Sequence, residues 1–579
     1  MHGCFLKAFS LRRGRFLGLR RPGAASIGFV DTIEGLGSTA PAPAAPRLDA
    51  VGRLAVRARS LPLGPTAAAA GVLGTLITWL GSWNPSFWGD EAATILSATR
   101  PVSVLFAELR NIDAVHGLYY LLMHFWIGAF GPSELSVRLP SALAVGALIA
   151  GTVVLGARLA GLRFGLIAAA VCLVLPRTTY LATEARSYAI GTAIAVWITV
   201  WFVGLVRRRE RRLRPWLIYG AMVGLAAYLF LYLGMLLLVH GAVLATSSAG
   251  RRQLGGWVRA AALAAVVAAP MLVIGYLERS QIAFLAKRKY AQPLQVFVQQ
   301  WFGSPPHGGL WAVPVVCWAL IVLGAVVVLW RTARRTPHAV LENRRSDRDV
   351  LRLGLAWLVI PTALLLAIDA WVAPTYTVRY LSFCTPGVAL LIALGVVTVA
   401  RLLAPGLARL IGRGRRIGRR TLTAAVVAAA LLALAAIAAP GYVFQRTAYA
   451  KDGGSDWRQT ADYLAAAALP GDAVVFDETT KPSQRPELAY RLYPAQFAGL
   501  TTPEVLTPYY QRDHIWDLMA PIAEIRADLV TASSVWAIEL PTGKGTPDDV
   551  EDLTAHGYRV VGTHLVHRLE VYQLQRENV

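Results

Sequence analysis

Residues 117–130 read Gly117-Leu118-Tyr119-Tyr120-Leu121-Leu122-Met123-His124-Phe125-Trp126-Ile127-Gly128-Ala129-Phe130, and whether this apolar run crosses a membrane decides the topology of everything after it. A helix of this length reaches only ~21 Å, against a hydrocarbon layer of ~30 Å. The run also carries His124. Counting it as a crossing would invert every later loop and turn the arginine clusters outward. It is therefore expected to lie in the outer interface, at a depth that suits Tyr119, Tyr120 and Trp126.

Outward from this segment, apolar runs of spanning length fall near 66–84, 136–157, 164–181, 188–206, 215–230, 232–247, 257–276, 310–330, 353–372, 381–403 and 422–440, about eleven in all. Basic residues fill alternate loops: Arg158 and Arg163, then 207–214, then Arg251, Arg252 and Arg259, then 331–352, then 401–420. Such clusters stay cytoplasmic, so the N-terminus is expected inside and the loops at 85–135, 182–187 and 373–380 outside. Residues 1–65 carry Arg12, Arg13, Arg15, Arg20 and Arg21 and then an Ala/Pro-rich stretch. They lack a secretory signal and are read as a disordered cytoplasmic tail.

Composition agrees with a multi-pass membrane protein. Of 579 residues, 55% are hydrophobic and 16% charged, with a mean hydropathy of +0.49, whereas soluble domains are roughly 25% charged. That excludes a water-soluble multidomain enzyme, a disordered chain and a coiled coil. The net charge of +23 would suggest nucleic acid in a soluble chain, but here the cations sit between apolar runs and orient them. Cys4, Cys172, Cys317 and Cys384 show no CxxC pair and no metal-ligand spacing, so disulfide and zinc readings have no support.

After residue 440 charge rises and the apolar runs shorten, so 66–440 is read as the membrane domain and 441–579 as an extracytoplasmic α/β domain. Residues 457–468 read as a helix, Leu469-Pro470-Gly471-Asp472 as its break and 473–476 as a buried strand. A strand at 534–540, a helix starting at Thr546-Pro547-Asp548-Asp549 and a strand over 559–574 follow.

Five groups carry chemistry. Asp90-Glu91 follow the first span beside Phe87 and Trp88, at a depth where desolvation is expected to raise carboxylate basicity. Thr183-Glu184-Ala185-Arg186-Ser187-Tyr188 crowd charge against an Ala-rich span, which makes function the default expectation; as a plain ion pair they would contribute only ~0–1 kcal/mol. Arg379, between Tyr376 and Tyr380 on an outward loop, runs against the positive-inside bias; it suits a phosphate oxygen pair, with snorkelling as the bland alternative. Lys287-Arg288-Lys289-Tyr290 is the dense basic run of the outer loop at 277–309, suited to a donor phosphate or to anionic headgroups. Asp113 and His116 make only a weak metal pair.

The order of these pieces resembles the C-type (GT-C) membrane glycosyltransferases, in particular the protein O-mannosyltransferase and lipid A aminoarabinose transferase family. The matching stretch runs from Asp90 to Val203. It holds the acidic pair, Gly117-Leu118-Tyr119-Tyr120, Ser133-Glu134-Leu135-Ser136-Val137-Arg138-Leu139-Pro140-Ser141 and Glu184-Ala185-Arg186-Ser187-Tyr188. Arg379-Tyr380 and Asp456-Trp457-Arg458 match further on.

The resemblance implies a polytopic helical fold with a C-terminal soluble domain, and a sugar moved with inversion from a polyprenyl-phosphate donor to a hydroxyl of a glycan, lipoglycan or protein. It makes Asp90 the general base, with Glu91 supporting it or binding the acceptor. Glu184, Arg186 and Tyr188 would line the sugar and phosphate pocket, and Arg379 with Tyr380 would steady the departing phosphate. No cofactor is implied, and a divalent cation is not required in principle because the leaving phosphate is already a stable anion. Where many relatives carry Lys-Pro-Pro or His-Pro-Pro before Tyr-Tyr, this chain has Ala114-Val115-His116-Gly117, so His116 stands in for a donor contact. Mannose leads among donor sugars, with arabinofuranose the nearest rival. A lipid-linked-sugar flippase would favour midplane charges and repeated halves, and neither is visible. A membrane-anchored assembly protein built on the tail domain would tolerate loss of the outer charges.

Overall fold

The computed structural model describes residues 61–288, 291–303, 311–334, 341–411, 418–530, 532–541 and 545–577. The expected N-terminal tail falls outside them up to residue 60, as does Cys4. The chain begins with α1 (Leu63–Trp79), α2 (Gly89–Thr99) and α3 (Gly117–Phe130). The helices α4 (Glu134–Ala160), α5 (Leu162–Val174), α6 (Pro176–Leu181), α7 (Tyr188–Arg208), α8 (Leu213–Ala226) and α9 (Leu236–Ala245) follow. The bundle closes with α10 (Leu254–Leu277), α11 (Ala312–Ala333), α12 (Leu341–Trp371), α13 (Thr385–Ile411) and α14 (Arg419–Phe444).

Among the described residues seven helices are long and apolar enough to cross a membrane, namely α4, α7 and α10–α14. The other four expected spans are present as the shorter helices α1, α5, α8 and α9. The expectation of one span over 164–181 needs correction, because the helix breaks at Leu175 (ψ 128°) and restarts at Pro176. Proline disfavours the helical conformation of the residue before it and fits a first helical turn. The break leaves Arg177 and the loop to Ser187 free to turn across one end of the bundle.

Small residues set the helix spacing. A Cβ on Gly146 of α4 would lie 2.0 Å from Thr75 Oγ1 and 2.7 Å from the Gly71 carbonyl oxygen of α1, so only glycine allows that crossing. The arginine-rich ends gather at one pole: Arg207 of α7 donates to Leu159 O of α4, Gln253 to Val206 O, and Arg401 of α13 pairs with Asp347 of α12 at 2.7 Å. Asp90 and its neighbours lie at the opposite pole, near the start of α4.

The tail folds as an α/β domain. After α15 (Trp457–Ala467), the strands β1 (Ala473–Phe476), β4 (Ser534–Glu539), β5 (Tyr558–Leu565) and β6 (Glu570–Arg576) form a sheet in the order β1-β4-β6-β5; β2 (Val505–Thr507) and β3 (Leu518–Met519) make a separate pair. β1 and β4 run parallel, and the remaining neighbours are antiparallel. The expected strand over 559–574 is a hairpin, turning at Val566–Leu569. That turn is held by Asp456, whose Oδ2 accepts from the amides of His567, Arg568 and Leu569 at 3.1, 2.7 and 2.8 Å, a tertiary contact with no local signal.

The run at 117–130 does form a helix, and it rests on α2 and the start of α4, with His124 bonded to Ala98 O and Trp126 donating to Ser136 O. Its buried Tyr119, Tyr120, Met123 and Ile127 belong to a hydrophobic cluster, separate from the main bundle core, that also holds Phe87 and Ile95 of the α2 region, Val137 of α4, and Trp457, Phe476, Leu488 and Trp536 of the tail domain. The first loop and the tail domain thus share one hydrophobic cluster.

Candidate active site

Gly89 opens α2, and a Cβ there would sit 2.2 Å from the Ser483 carbonyl oxygen of the tail domain. That close approach seats the helix start under the tail. Its first turn points two adjacent carboxylates in different directions, since consecutive helical residues lie ~100° apart.

Glu91 turns inward. Its carboxylate takes a bidentate fork from Arg138 of α4, Nε at 2.8 Å and the second terminal nitrogen at 2.6 Å, and its Oε1 also accepts the Ala185 amide at 2.9 Å. Both side chains are 0% exposed. Arg138 further donates to the carbonyls of Ser82, Pro85 and Ser86. With both oxygens engaged, Glu91 joins the loop after α1, the start of α4 and the Glu184 loop, a placement that fits the expected support of Asp90.

Asp90 faces the other way and is 28% exposed. It pairs with Arg379, itself 27% exposed. Arg379 also lies over the Trp88 ring, 5.0 Å from its centroid. Arg186 donates to the Asp90 carbonyl oxygen at 3.3 Å, to Thr94 Oγ1 at 3.4 Å and to Tyr120 Oη at 3.3 Å, and its other terminal nitrogen meets His116 Nε2 at 3.2 Å. Tyr120 in turn donates to Asp113.

Burial pushes the Asp90 carboxyl up, but Arg379, Arg186 and His116 outweigh it and hold the group below the usual aspartate value. The expectation of raised basicity is thus corrected: opposite charges win over desolvation here. Burial and then Arg186 push His116 down to about 4, so its ring is neutral at physiological pH and its Nε2 accepts from Arg186.

Glu184 is buried and its pKa is raised by desolvation, with Lys451 and Arg379 opposing. Tyr188, Tyr380 and Tyr232 form an aromatic wall: the Tyr188 and Tyr380 centroids are 6.4 Å apart, and Tyr380 stacks on Tyr232 at 4.8 Å. An apolar depression of about 400 Å³, lined by Leu105, Phe106, Leu109, Leu118, Leu121 and Ile274, adjoins the turn that carries His116.

The fold thus brings Asp90, His116, Glu184, Arg186, Tyr188, Arg379 and Tyr380 to one pole, from four separate stretches of sequence. Lys287 does not join them. It is exposed on the short Leu285–Arg288 helix and shares no hydrogen bond or ion pair with these residues, while the Arg288 side chain, Lys289 and Tyr290 lie outside the described residues. Sequence reasoning missed Arg177 and Lys451. Arg177 donates to the Gln299 and Gln300 carbonyls and follows a proline that splits an apolar run, the one local signal it offered. Lys451, in the link to the tail domain, had none. Among the described residues no group of three or more acidic, histidine or cysteine side chains is arranged to hold a metal ion.

No family model and no curated protein matches the sequence. Among solved structures, the chain is similar to ArnT from Cupriavidus metallidurans bound to undecaprenyl phosphate, at 15% identity and a TM-score of 0.46 over 87% of this chain and 97% of that one. It is also similar to the Archaeoglobus fulgidus oligosaccharyltransferase tethered with an acceptor peptide, at 12% identity and a TM-score of 0.40 over 82% of this chain and 69% of that one.

Proposed function

We propose that this chain is an integral membrane glycosyltransferase that moves a sugar, mannose first among candidates, from a polyprenyl-phosphate carrier to a hydroxyl of an extracytoplasmic glycan, lipoglycan or protein. The observation that carries the reading is the partly exposed Asp90–Arg379 pair, set among the further cations Arg186 and Lys451. A carboxylate held by a guanidinium is a poor base, so the site is at rest until an anion competes for Arg379.

A sugar phosphodiester is such an anion, and its paired oxygens match the guanidinium fork. Once Arg379 turns to phosphate, Asp90 loses the foremost charge that holds its proton affinity down. It can then take the proton from an acceptor hydroxyl as that oxygen bonds to the anomeric carbon. The bond from that carbon to the phosphate oxygen breaks on the opposite face, which inverts the centre. The departing polyprenyl phosphate leaves as an anion beside Arg379 and Arg186. The apolar depression beside His116 supports a lipid carrier, and the arginine-rich opposite pole supports an outward-facing Asp90.

The test is transfer by purified protein in lipid, supplied with radiolabelled polyprenyl-phosphate mannose and a membrane glycan extract. Asp90→Asn is expected to bind the donor and fail to transfer. Transfer at the wild-type rate by that variant would overturn the assignment of the base.

A further inference from the structure

Lys451 is 1% exposed, although it lies in the link between α14 and the tail domain. Its carbonyl accepts the amides of Gly454 and Ser455 at 2.8 Å, and Ser455 Oγ donates to Phe87 O at 2.6 Å, so the residue is pinned to the loop that precedes Asp90. Its ammonium donates to Thr183 Oγ1 at 2.8 Å and lies 4.0 Å from the centroid of the Tyr180 ring.

The neighbouring residue, Glu184, is also 1% exposed, and neither of its carboxylate oxygens has a hydrogen-bond partner within 3.5 Å and in good alignment, although the Tyr180 hydroxyl stands near it. A buried carboxylate so short of donors is costly and deserves an explanation. Lys451 is foremost among the charges that favour ionised Glu184, and Glu184 foremost among those that favour charged Lys451. Yet no direct salt bridge of 4.0 Å or less joins them. The two groups are therefore an acceptor and a donor that influence each other without a direct bond, with Arg379 close by.

We propose that Lys451 and Glu184 select an uncharged polyhydroxy sugar on the carrier lipid and reject a sugar that bears an ammonium group. This rests on the donor-binding reading above and adds the chemistry of the sugar. A hydroxyl donates one hydrogen bond to Glu184 while accepting one from Lys451, whereas an ammonium only donates. It would offer Glu184 a partner but set a like charge against Lys451 and give its N–H groups beyond the Thr183 bond no acceptor, beside Arg379 and Arg177. Lys451 thus makes the carboxylate a hydroxyl reader instead of an amine trap.

The experiment measures binding to the purified full chain in nanodiscs by tryptophan fluorescence, with three probes: polyprenyl phosphate alone, polyprenyl-phosphate mannose, and polyprenyl-phosphate 4-amino-4-deoxyarabinose. Wild type is expected to bind the mannose lipid at least tenfold more tightly than the amino-sugar lipid. Lys451→Met should shrink that ratio tenfold or more, Lys451→Arg should preserve it, and Glu184→Gln should bring the mannose lipid to the level of the bare phosphate. An unchanged ratio in a Lys451→Met variant that melts like wild type overturns the inference. If Lys451→Met does not fold, loss of the preference in Lys451→Arg, or a Glu184→Gln variant that still prefers mannose, overturns it instead. Failure of the bare polyprenyl phosphate to bind wild type overturns the donor reading itself, and is read separately.

Discussion

Two adjacent acids, Asp90 and Glu91, should respond to the same amide substitution in opposite ways. Glu91→Gln keeps the shape but removes the charge from a pair that is fully buried and bonded at 2.8 and 2.6 Å. Arg138 would be left buried and uncompensated, with one amide oxygen and the carbonyls of Ser82, Pro85 and Ser86 as acceptors and the new amide NH2 set against a guanidinium N–H. Stranding one partner of a buried pair costs ~3–5 kcal/mol, which corresponds to a fall in Tm of roughly 5 °C or more. Removing both charges with Glu91→Leu and Arg138→Met should not restore the wild-type Tm, because three carbonyls then lose their donor at ~1–3 kcal/mol for each that stays dry. Asp90→Asn breaks a partly exposed pair worth ~1 kcal/mol or less, so its Tm should stay near wild type while transfer is lost. Thermal unfolding in nanodiscs, followed by tryptophan fluorescence beside transfer assays, separates the two effects. A Glu91→Gln variant that melts with wild type, or an Asp90→Asn variant less stable than it, would refute the division of roles.

Arg379→Met removes the foremost charge holding the Asp90 carboxyl down; residual transfer should show its acidic limb displaced to higher pH, and an unmoved limb would separate Arg379 from the base. In the tail domain, burial pushes Glu504 and Glu539 up to about 9. Both bind a proton when folded that the unfolded chain releases above the ordinary 4.5, so tail stability is full at low pH and should fall as pH rises from about 4.5 to about 9. Melting or limited proteolysis across that range checks it, and Glu539→Gln should flatten the slope. Cysteines at the exposed positions Ala498 and Arg211 should react with an impermeant maleimide from opposite faces, Ala498 from outside; labelling of both from one face would undo the topology.

Much of the architecture was legible because membrane insertion is governed by local quantities: the length of an apolar run, the arginines that flank it and the aromatic residues at its ends. Among the described residues seven of the eleven expected spans are helices long and apolar enough to cross a membrane, the other four are shorter helices, and 117–130 packs on α2 and the start of α4 in a cluster shared with the tail domain. What misled was local in one case and tertiary in the other. The break at Leu175-Pro176 sits within an apolar run, and the hairpin at Val566–Leu569 depends on the Asp456 carboxylate more than a hundred residues upstream. In the site, the acidic pair, the Glu184 segment and Arg379 stood out because charge beside apolar sequence is conspicuous. Glu91 was assigned beside Asp90 because neighbours in sequence look alike until burial separates them.

Sequence alone determined that this is a multi-pass helical protein with an α/β tail and with charged residues concentrated at the ends of its apolar runs, since hydropathy and charge act over a few residues at a time. Only the tertiary structure decided which charges meet. Arg138 claims Glu91, Arg379 claims Asp90, and Lys451 comes from beyond the last span to bond Thr183 beside Glu184, because pairing energies depend on distance and burial in space, which no spacing along the chain records.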